Sequence, residues 1–325
     1  LTSGGIPGGQ AGAKLIPMDA VSQFEVLVAP FDVRLSGFTG GVMNAVTRSG
    51  TNDWRVRFSG AHRNEALIGD LSLPTGPVEA SGVDRSLLAF SVGGPVIHDA
   101  LHFFVSGEFE RSRQPPNGYN LFRDDPALIL ISEENVEAVA SLFENRFGVD
   151  VGTAGVYPLE QEMANIFARA DWNLPGGDRV LVRHVFAHAE NDQAPNRSAF
   201  LPYELSSNGV SRSSTNHVTS VQLFSEFGGR FANELGLTLQ RTTDHTNPAS
   251  DLPQVEVDVV SSIADVGYSR SIRLGGQFFS QLNDLEQTSL RLTNSLDIKM
   301  GDDVLTVGAT ASWYDLTHAF LPGAQ

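Results

Sequence analysis

The sequence predicts an all-β fold, a partial antiparallel transmembrane β-barrel of about nine long strands, with one helix in a long loop. Three observations predict it. From residue 54 onward, apolar and polar residues alternate with period two over unusually long segments, the mark of strands with one oily and one wet face. The connections between those segments alternate between short and long. No stretch reaches the roughly 18 to 20 consecutive apolar residues of a spanning helix, so a membrane could be crossed only by strands.

The periodicity begins inside "GGVMNAVTRSGTNDWRVRFSG", residues 40–60. Its first half is small and apolar without long alternation and ends in the turn residues Ser49, Gly50, Thr51 and Asn52. Then Trp54, Val56 and Phe58 oppose Arg55, Arg57 and Ser59. Strands are expected at 54–63, 85–94, 100–111, 164–174, 178–189, 216–228, 231–243, 286–299 and 303–316. In the clearest, "TSLRLTNSLDIKM", Leu290, Leu292, Leu296 and Ile298 form an apolar face interrupted only by Asn294.

Short links are expected at "GGPVIHDA" (93–100), "LPGGD" (174–178), the Gly-Gly pair at 228–229 and "GDD" (301–303). Long polar links fall at 64–84, 112–163, 190–215 and 244–285. Most connections in soluble domains run about 4 to 6 residues, whereas an outer-membrane barrel combines tight turns at one end with long loops at the other. Lipid offers no hydrogen bonds to an open sheet edge, so a spanning sheet must close. Trp54, Phe103, Phe104, Trp172, Phe224, Phe227, Trp313 and Tyr314 are expected in an interfacial girdle. A soluble sandwich or β-helix with decorated loops is the alternative.

One long link reads as a helix. In "SEENVEAVASLFENRFG", Ser132 is the N-cap, Glu133 and Glu134 favour the first turn, and Gly148 is the stop. Val136, Val139, Ala140, Phe143 and Phe147 form its apolar stripe, expected to pack against the rest of the loop.

Composition narrows the function. The 325 residues carry 38 acidic and 22 basic side chains, a formal charge of −16, and only Lys14 and Lys299 as lysines. Nucleic-acid binding needs clustered Lys and Arg and is not expected. With no cysteine, thiolate catalysis, disulfides and Cys-ligated zinc are excluded. The chain starts at Leu1 without a signal pattern, so a fragment or mature form is expected.

The segment "DAVSQFEVLVAPFDVRLSGFTGGVMNAVTRSGTNDWRVRFSGAHRN" resembles the end of the plug and the start of the barrel in TonB-dependent outer-membrane receptors, especially their Oar-like branch. "FSVGGPVIHDALHFFVSGEFERSRQP", with its Gly-Gly-Pro turn, "FARADWNLPGGDRVLVRHVFAH", "NELGLTLQR" and "LRLTNSLDIKMGDDVLTVGATASWYD" are similar to later strands of that branch. The resemblance implies a plug-domain remnant at residues 1–50 and the N-terminal strands of the barrel at 51–325. A barrel of this kind has 22 strands, so nine would be a part. It further implies a Gram-negative-type outer membrane with the long loops extracellular, contact with its lipid, an unknown extracellular substrate, and a TonB energising system engaged through a segment upstream. No cofactor is implied.

Other constellations carry less. Gly40, Gly41 and Gly50 lack the rest of a phosphate loop and fit tight plug turns better. His184 and His188 share a strand face about 13 Å apart, too far for one metal, and read as interfacial or lumen-facing imidazoles. His98 and His102 flank a turn. Glu108 and Glu110 fit a polar lumen wall as well as an acid-base pair, and Asp302 and Asp303 fit a turn. Asp124 and Asp125, or Glu190 and Asp192, offer calcium-type oxygens or solvated surface charge. No catalytic, cofactor or metal residue is assigned. The expectation is a transporter rather than an enzyme, binding its substrate through long loops and polar strand ends. An adhesin or structural barrel without energised transport is the alternative.

Overall fold

The computed structural model describes residues 11–28, 32–34, 41–68, 71–73, 76–78, 82–115, 131, 133–155, 157–196, 202–259, 271–281 and 283–323. The chain opens with a hairpin of β1 (Val21–Val28) and β2 (Gly41–Thr47), followed by β3 (Arg55–Asn64), a short helix α1 (Glu65–Ile68) and a small hairpin, β4 (Leu71–Leu73) with β5 (Gly76–Val78). Then come β6 (Asp84–Ile97), β7 (Leu101–Gln114), helix α2 (Glu133–Phe147), β8 (Leu159–Asn173), β9 (Arg179–Gln193), β10 (Tyr203–Glu204), β11 (Val210–Phe227) and β12 (Phe231–Pro248). Strands β13 (Val255–Asp258), β14 (Ser271–Leu274), β15 (Asn283–Met300) and β16 (Asp303–Phe320) complete the order.

Nine strands form one antiparallel sheet in the order β3-β6-β7-β8-β9-β11-β12-β15-β16, each paired with the next long strand of the chain. They are the nine that alternation predicts. Eight of them run longer than predicted, and apart from the end of β6 the extra residues lie mainly on the long-link side: β11 starts at Val210 rather than 216, and β12 ends at Pro248 rather than 243. There the apolar alternation stops although the ladder of backbone hydrogen bonds continues, so side-chain period alone misses the extension. About nine to eleven residues cross a bilayer. Strands of 18 residues project beyond one.

Directly paired residues share a face, so the register separates two surfaces. One row crosses all nine strands as Val56, Val92, Val105, Ala168, His184, Thr219, Leu239, Leu290 and Trp313. Its neighbour on the opposite face runs Arg57, Ser91, Ser106, Phe167, Val185, Val218, Gln240, Ser289 and Tyr314. The first face is apolar yet exposed at Val56, Leu88, Leu237, Leu239, Leu305 and Trp313. The second is polar yet contains buried Ser91, Ser106, Glu108, Asn165 and Asp171.

The short turns close as expected at 174–178, 228–230 and 301–302. Gly228 and Gly229 both have φ near +60°, the conformation a tight hairpin demands and other residues resist. The link at 93–100 is corrected. Gly93, Gly94 and Pro95 lie within β6, and the turn spans only 98–100 after a register shift between Pro95 and Ile97. The girdle is corrected too. Trp54, Phe103, Trp172 and Phe227 lie on the apolar face near the short turns, but Phe104 and Phe224 share the polar face. Of the adjacent pair Trp313 and Tyr314, only Trp313 is on the apolar side.

The long links are not structureless. Ile131, Val136, Val139, Val151, Ala154, Tyr203, Leu205, Ile272 and Leu274 form one core drawn from three different links. Helix α2 packs there with Val136 and Val139, while Phe147 is left exposed against Phe143, so the stripe ends one turn early. Gly148 (φ +67°) ends the helix, its N–H reaching the Glu144 carbonyl at 2.9 Å. The proposed cap Ser132 lies outside the described residues. Strand β10 pairs parallel to β14, which pairs antiparallel to β13, so two links share one small sheet. No helix among the described residues is long and apolar enough to cross a membrane.

Candidate functional site

The N-terminal segment lies on the polar face of the sheet, and that contact is the candidate site. Lys14 extends its ammonium to Glu108 and Glu110, each at 3.0 Å, and Arg85 closes on the other oxygen of Glu110 at 2.7 Å. The two glutamates alternate with Phe109 along β7, so period two alone puts both on this face. Asn165 of β8, fully buried, donates its amide to the Lys14 carbonyl at 3.1 Å. Burial works against the Lys14 charge. The hydrogen bonds and charges of Glu108 and Glu110 outweigh it, and its pKa stands above the ordinary value.

Further along, Asp19 pairs with Arg57 at 3.2 Å, and Ala20 and Ile16 pack on Phe104 and Phe167. The hairpin end is held by Arg169, which makes a bidentate pair with Asp171 at 2.7 and 2.8 Å. It also donates to the Thr47 carbonyl and hydroxyl at 2.8 and 2.9 Å. Both side chains of that ion pair are nearly buried. Arg183 donates to Gln222, and Gln222 to Glu234 at 2.7 Å, continuing the polar wall toward Arg34. Arg34 itself pairs with Asp32, whose carboxyl its hydrogen bonds hold at about 2.

Where the N-terminal segment meets β3, Arg48, Arg55 and Arg57 line a cavity of about 240 Å³ with Gly50, Gly93 and Phe104. Gly50 serves close approach rather than a turn. A Cβ there would sit 2.2 Å from the Phe103 carbonyl oxygen. Gly41 begins β2, and Gly40 lies outside the described residues.

The remaining candidates separate. His184 and His188 lie on the apolar face rather than the polar one, His188 in the row next to the charged Arg111, Glu162 and Glu190, and each is bound to a threonine hydroxyl of β11 at 2.9 Å. His217 joins them, 5.8 Å from the His184 ring and 5.1 Å from Phe186. His102 contacts Asn52 at 2.8 Å, and His98 is exposed in the turn. Glu190 accepts from Ser211 and Asp192 from the Glu160 backbone, while Asp124 and Asp125 lie outside the described residues. Among the described residues no group of three or more His, Asp or Glu is placed to hold a metal. Lys14 and Arg169, which hold the N-terminal segment, were not singled out in the sequence. The one signal was that Lys14 is nearly the sole lysine.

No protein-family model and no curated protein matches the sequence. Among solved structures the chain is similar to the outer membrane transporter YddB from Escherichia coli, with a TM-score of 0.55 and 9% identity over 91% of this chain and 35% of that one. The ferripyoverdine receptor of the outer membrane of Pseudomonas aeruginosa gives 0.47 and 14% over 94% of this chain and 43% of that one. The siderophore receptor PiuA from Acinetobacter baumannii gives 0.39 and 12% over 93% and 51%. The chain thus spans about a third to a half of these proteins. Its sheet has the fold of part of an outer-membrane transporter barrel.

Proposed function

We propose that this chain is part of a TonB-dependent outer-membrane receptor of the Oar-like type, in which residues 1–50 are the C-terminal part of the plug and residues 51–325 the first strands of the barrel. The observation that carries the reading is the two-sidedness of the sheet. One face is apolar and open, and the other is polar and carries contacts from residues 11–20 and from the end of β2, through Lys14, Asp19 and Thr47. Only a surrounding that is oily outside and plugged inside rewards that pattern.

In this reading the apolar face meets outer-membrane lipid, and strands β3 and β16, unpaired among the described residues, are completed by further strands. The long links are extracellular, and an unidentified substrate is bound there and on the polar strand ends. Transport involves no bond chemistry. The TonB system, acting on an upstream segment, draws the plug away from the wall, and the ion pairs of Lys14 and Asp19 and the hydrogen bonds from Arg169 to Thr47 are the contacts it must break.

The test is heat-modifiability of the full-length parent protein, extracted from outer membranes and run in SDS with and without boiling. Faster migration before boiling supports the closed barrel. Equal migration together with recovery in the soluble fraction overturns it. A heat-modifiable barrel whose uptake and binding are indifferent to loss of TonB would be an adhesin or structural barrel instead.

A further inference from the structure

We infer that the inner wall of β12, β15 and β16, above the level of Trp313, binds a neutral oligosaccharide. The inference rests on the reading above, in which the polar face is the lumen and the long links are extracellular, and it names the class of substrate.

The two faces of β16 exchange character along its length. Up to Trp313 the apolar Leu305, Val307 and Trp313 face outward, while Thr306, Thr310 and Ser312 face the lumen. Beyond it Asp315 and Thr317 face outward, and Tyr314, Leu316 and Phe320 face the lumen. These three are 63%, 50% and 45% exposed. Lipid does not reach the inside of a barrel, so this apolar surface waits for a solute rather than for hydrocarbon. His318 completes the ladder, its ring stacked on Phe320 at 6.3 Å and its Nε2 lying 3.3 Å from the Asn283 side-chain oxygen.

The register sets hydrogen-bonding groups beside each rung. Tyr314 stands in a row with Ser289 and Gln240, Leu316 with Gln287 and Thr242, His318 with Leu285 and Asp244, and Phe320 with Asn283 and Thr246. Thr242 donates to buried Asn216 at 2.7 Å and accepts from Gln240 at 3.3 Å, which fixes that amide on the wall. Asp244 accepts the Ser214 hydroxyl on one carboxylate oxygen and leaves the other without a partner among the described residues. Flat apolar faces next to amides, hydroxyls and one carboxylate match a pyranose ring, which has an apolar C–H face and a rim of hydroxyls that both donate and accept.

Charge selects against other solutes. From β8 to β16 these four rows hold one guanidinium, Arg212, and one carboxylate, Asp244. On β7 the same rows continue into Glu108 and Glu110, which Lys14 covers. One row deeper Arg169 is engaged by Asp171, Arg183 by Gln222 and Arg291 by the Tyr314 hydroxyl. A highly charged chelate or peptide therefore meets no opposing cluster.

The experiment takes the full-length parent protein, purified in detergent, to an array of neutral oligosaccharides built from hexose, pentose and N-acetylhexosamine units, with ferric citrate as the charged comparison. The Kd of the best-retained glycan is then measured by titration calorimetry. Weakening of about tenfold is expected in Phe320→Ala and in Tyr314→Ala, with no change in Thr317→Ala on the outward side. Gln287→Ala removes an amide without touching a ring and serves where a ring variant is not heat-modifiable. Retention of no glycan overturns the inference, as does an affinity unchanged in the heat-modifiable variants or saturation by ferric citrate instead. A ladder whose loss lowers only the temperature of heat-modifiability, with no glycan bound by the parent, is a packing surface for later strands and overturns it equally. A parent protein that is not heat-modifiable sinks the receptor reading itself, a separate result.

Discussion

Asn233 and Asn294 bind each other through both amides, at 3.3 and 3.1 Å, in the midst of the leucines of the apolar face. They are diagonal neighbours on β12 and β15, since Leu235 stands opposite Asn294 and Leu296 opposite Asn233. Each also reaches a backbone carbonyl of the other strand, at 3.0 and 3.4 Å. Two polar groups that satisfy one another are tolerable in an apolar surrounding. One alone is not.

Asn294→Leu should therefore destabilise the sheet by about 1–3 kcal/mol, because it leaves the Asn233 side-chain oxygen without its donor. The double variant Asn233→Leu with Asn294→Leu should return close to the parent value. The temperature at which the heat-modifiable band is lost checks this, and a double variant weaker than either single one would contradict it.

Lys14→Met should loosen residues 11–20 from the wall, since Glu108, 4% exposed, would lose its cation. Removing one partner of a buried pair costs about 3–5 kcal/mol. Lys14 is nearly half exposed, so solvent screening reduces this to about 1–2 kcal/mol. Faster hydrogen exchange across residues 11–20 is the readout, and Glu108→Gln in the Lys14→Met background should restore part of the protection.

The link core should respond to acid through Glu256. The Ser271 hydroxyl above all, with help from the Arg273 guanidinium at 2.9 Å, holds its carboxyl below the usual range against the opposing effect of burial. A depressed folded-state pKa gives stability that is full above the unfolded value of about 4.3 and is lost as pH falls through the folded one. Amide hydrogen exchange across Val255–Asp258 and Ser271–Leu274, corrected for its intrinsic pH dependence, should thus be less protected at low pH than near neutrality. Glu256→Gln should flatten the difference.

Leu205→Ala or Ile272→Ala, both fully buried, should weaken that core by about 2–5 kcal/mol while the sheet stands. Protease cleavage in the links with unchanged heat-modifiability is the expected pair of results. Loss of both would mean the core and the sheet fold as one unit.

Gly50→Val should impair assembly, because its side chain meets the backbone of Phe103 and Gly94 rather than movable atoms. Overpacking of this kind costs about 1–3 kcal/mol. A lower yield of heat-modifiable protein checks it, with Ser49→Val, exposed next door, as the control.

Much of the sheet was legible because its signal is local. Leu290, Leu292 and Leu296 announce a strand without reference to any neighbour, and Gly228 with Gly229 announces its turn. Helix α2 was legible within a residue at each end for the same reason. What escaped depends on pairs distant in sequence. Lys14 meets Glu108 across 94 positions, and the link core joins Val136 to Leu205 and Ile272. Short strands such as Ser271–Leu274 carry too few alternations to stand out, and their burial is decided by links that no period connects. Phe104 was misplaced because a strand end reads the same from either face until a register is known.

The core shared by three links also sets how this end of the molecule can diversify. Leu205 donates its N–H to the Arg273 carbonyl, Ser206 to Thr153, and the Tyr203 hydroxyl to Ala154, so no one link keeps its shape without the other two. A recombination event that imported a single foreign link would bring one third of a core whose complement stayed behind. Successful exchange would have to carry all three segments, and drift in one would select for compensating changes in its companions.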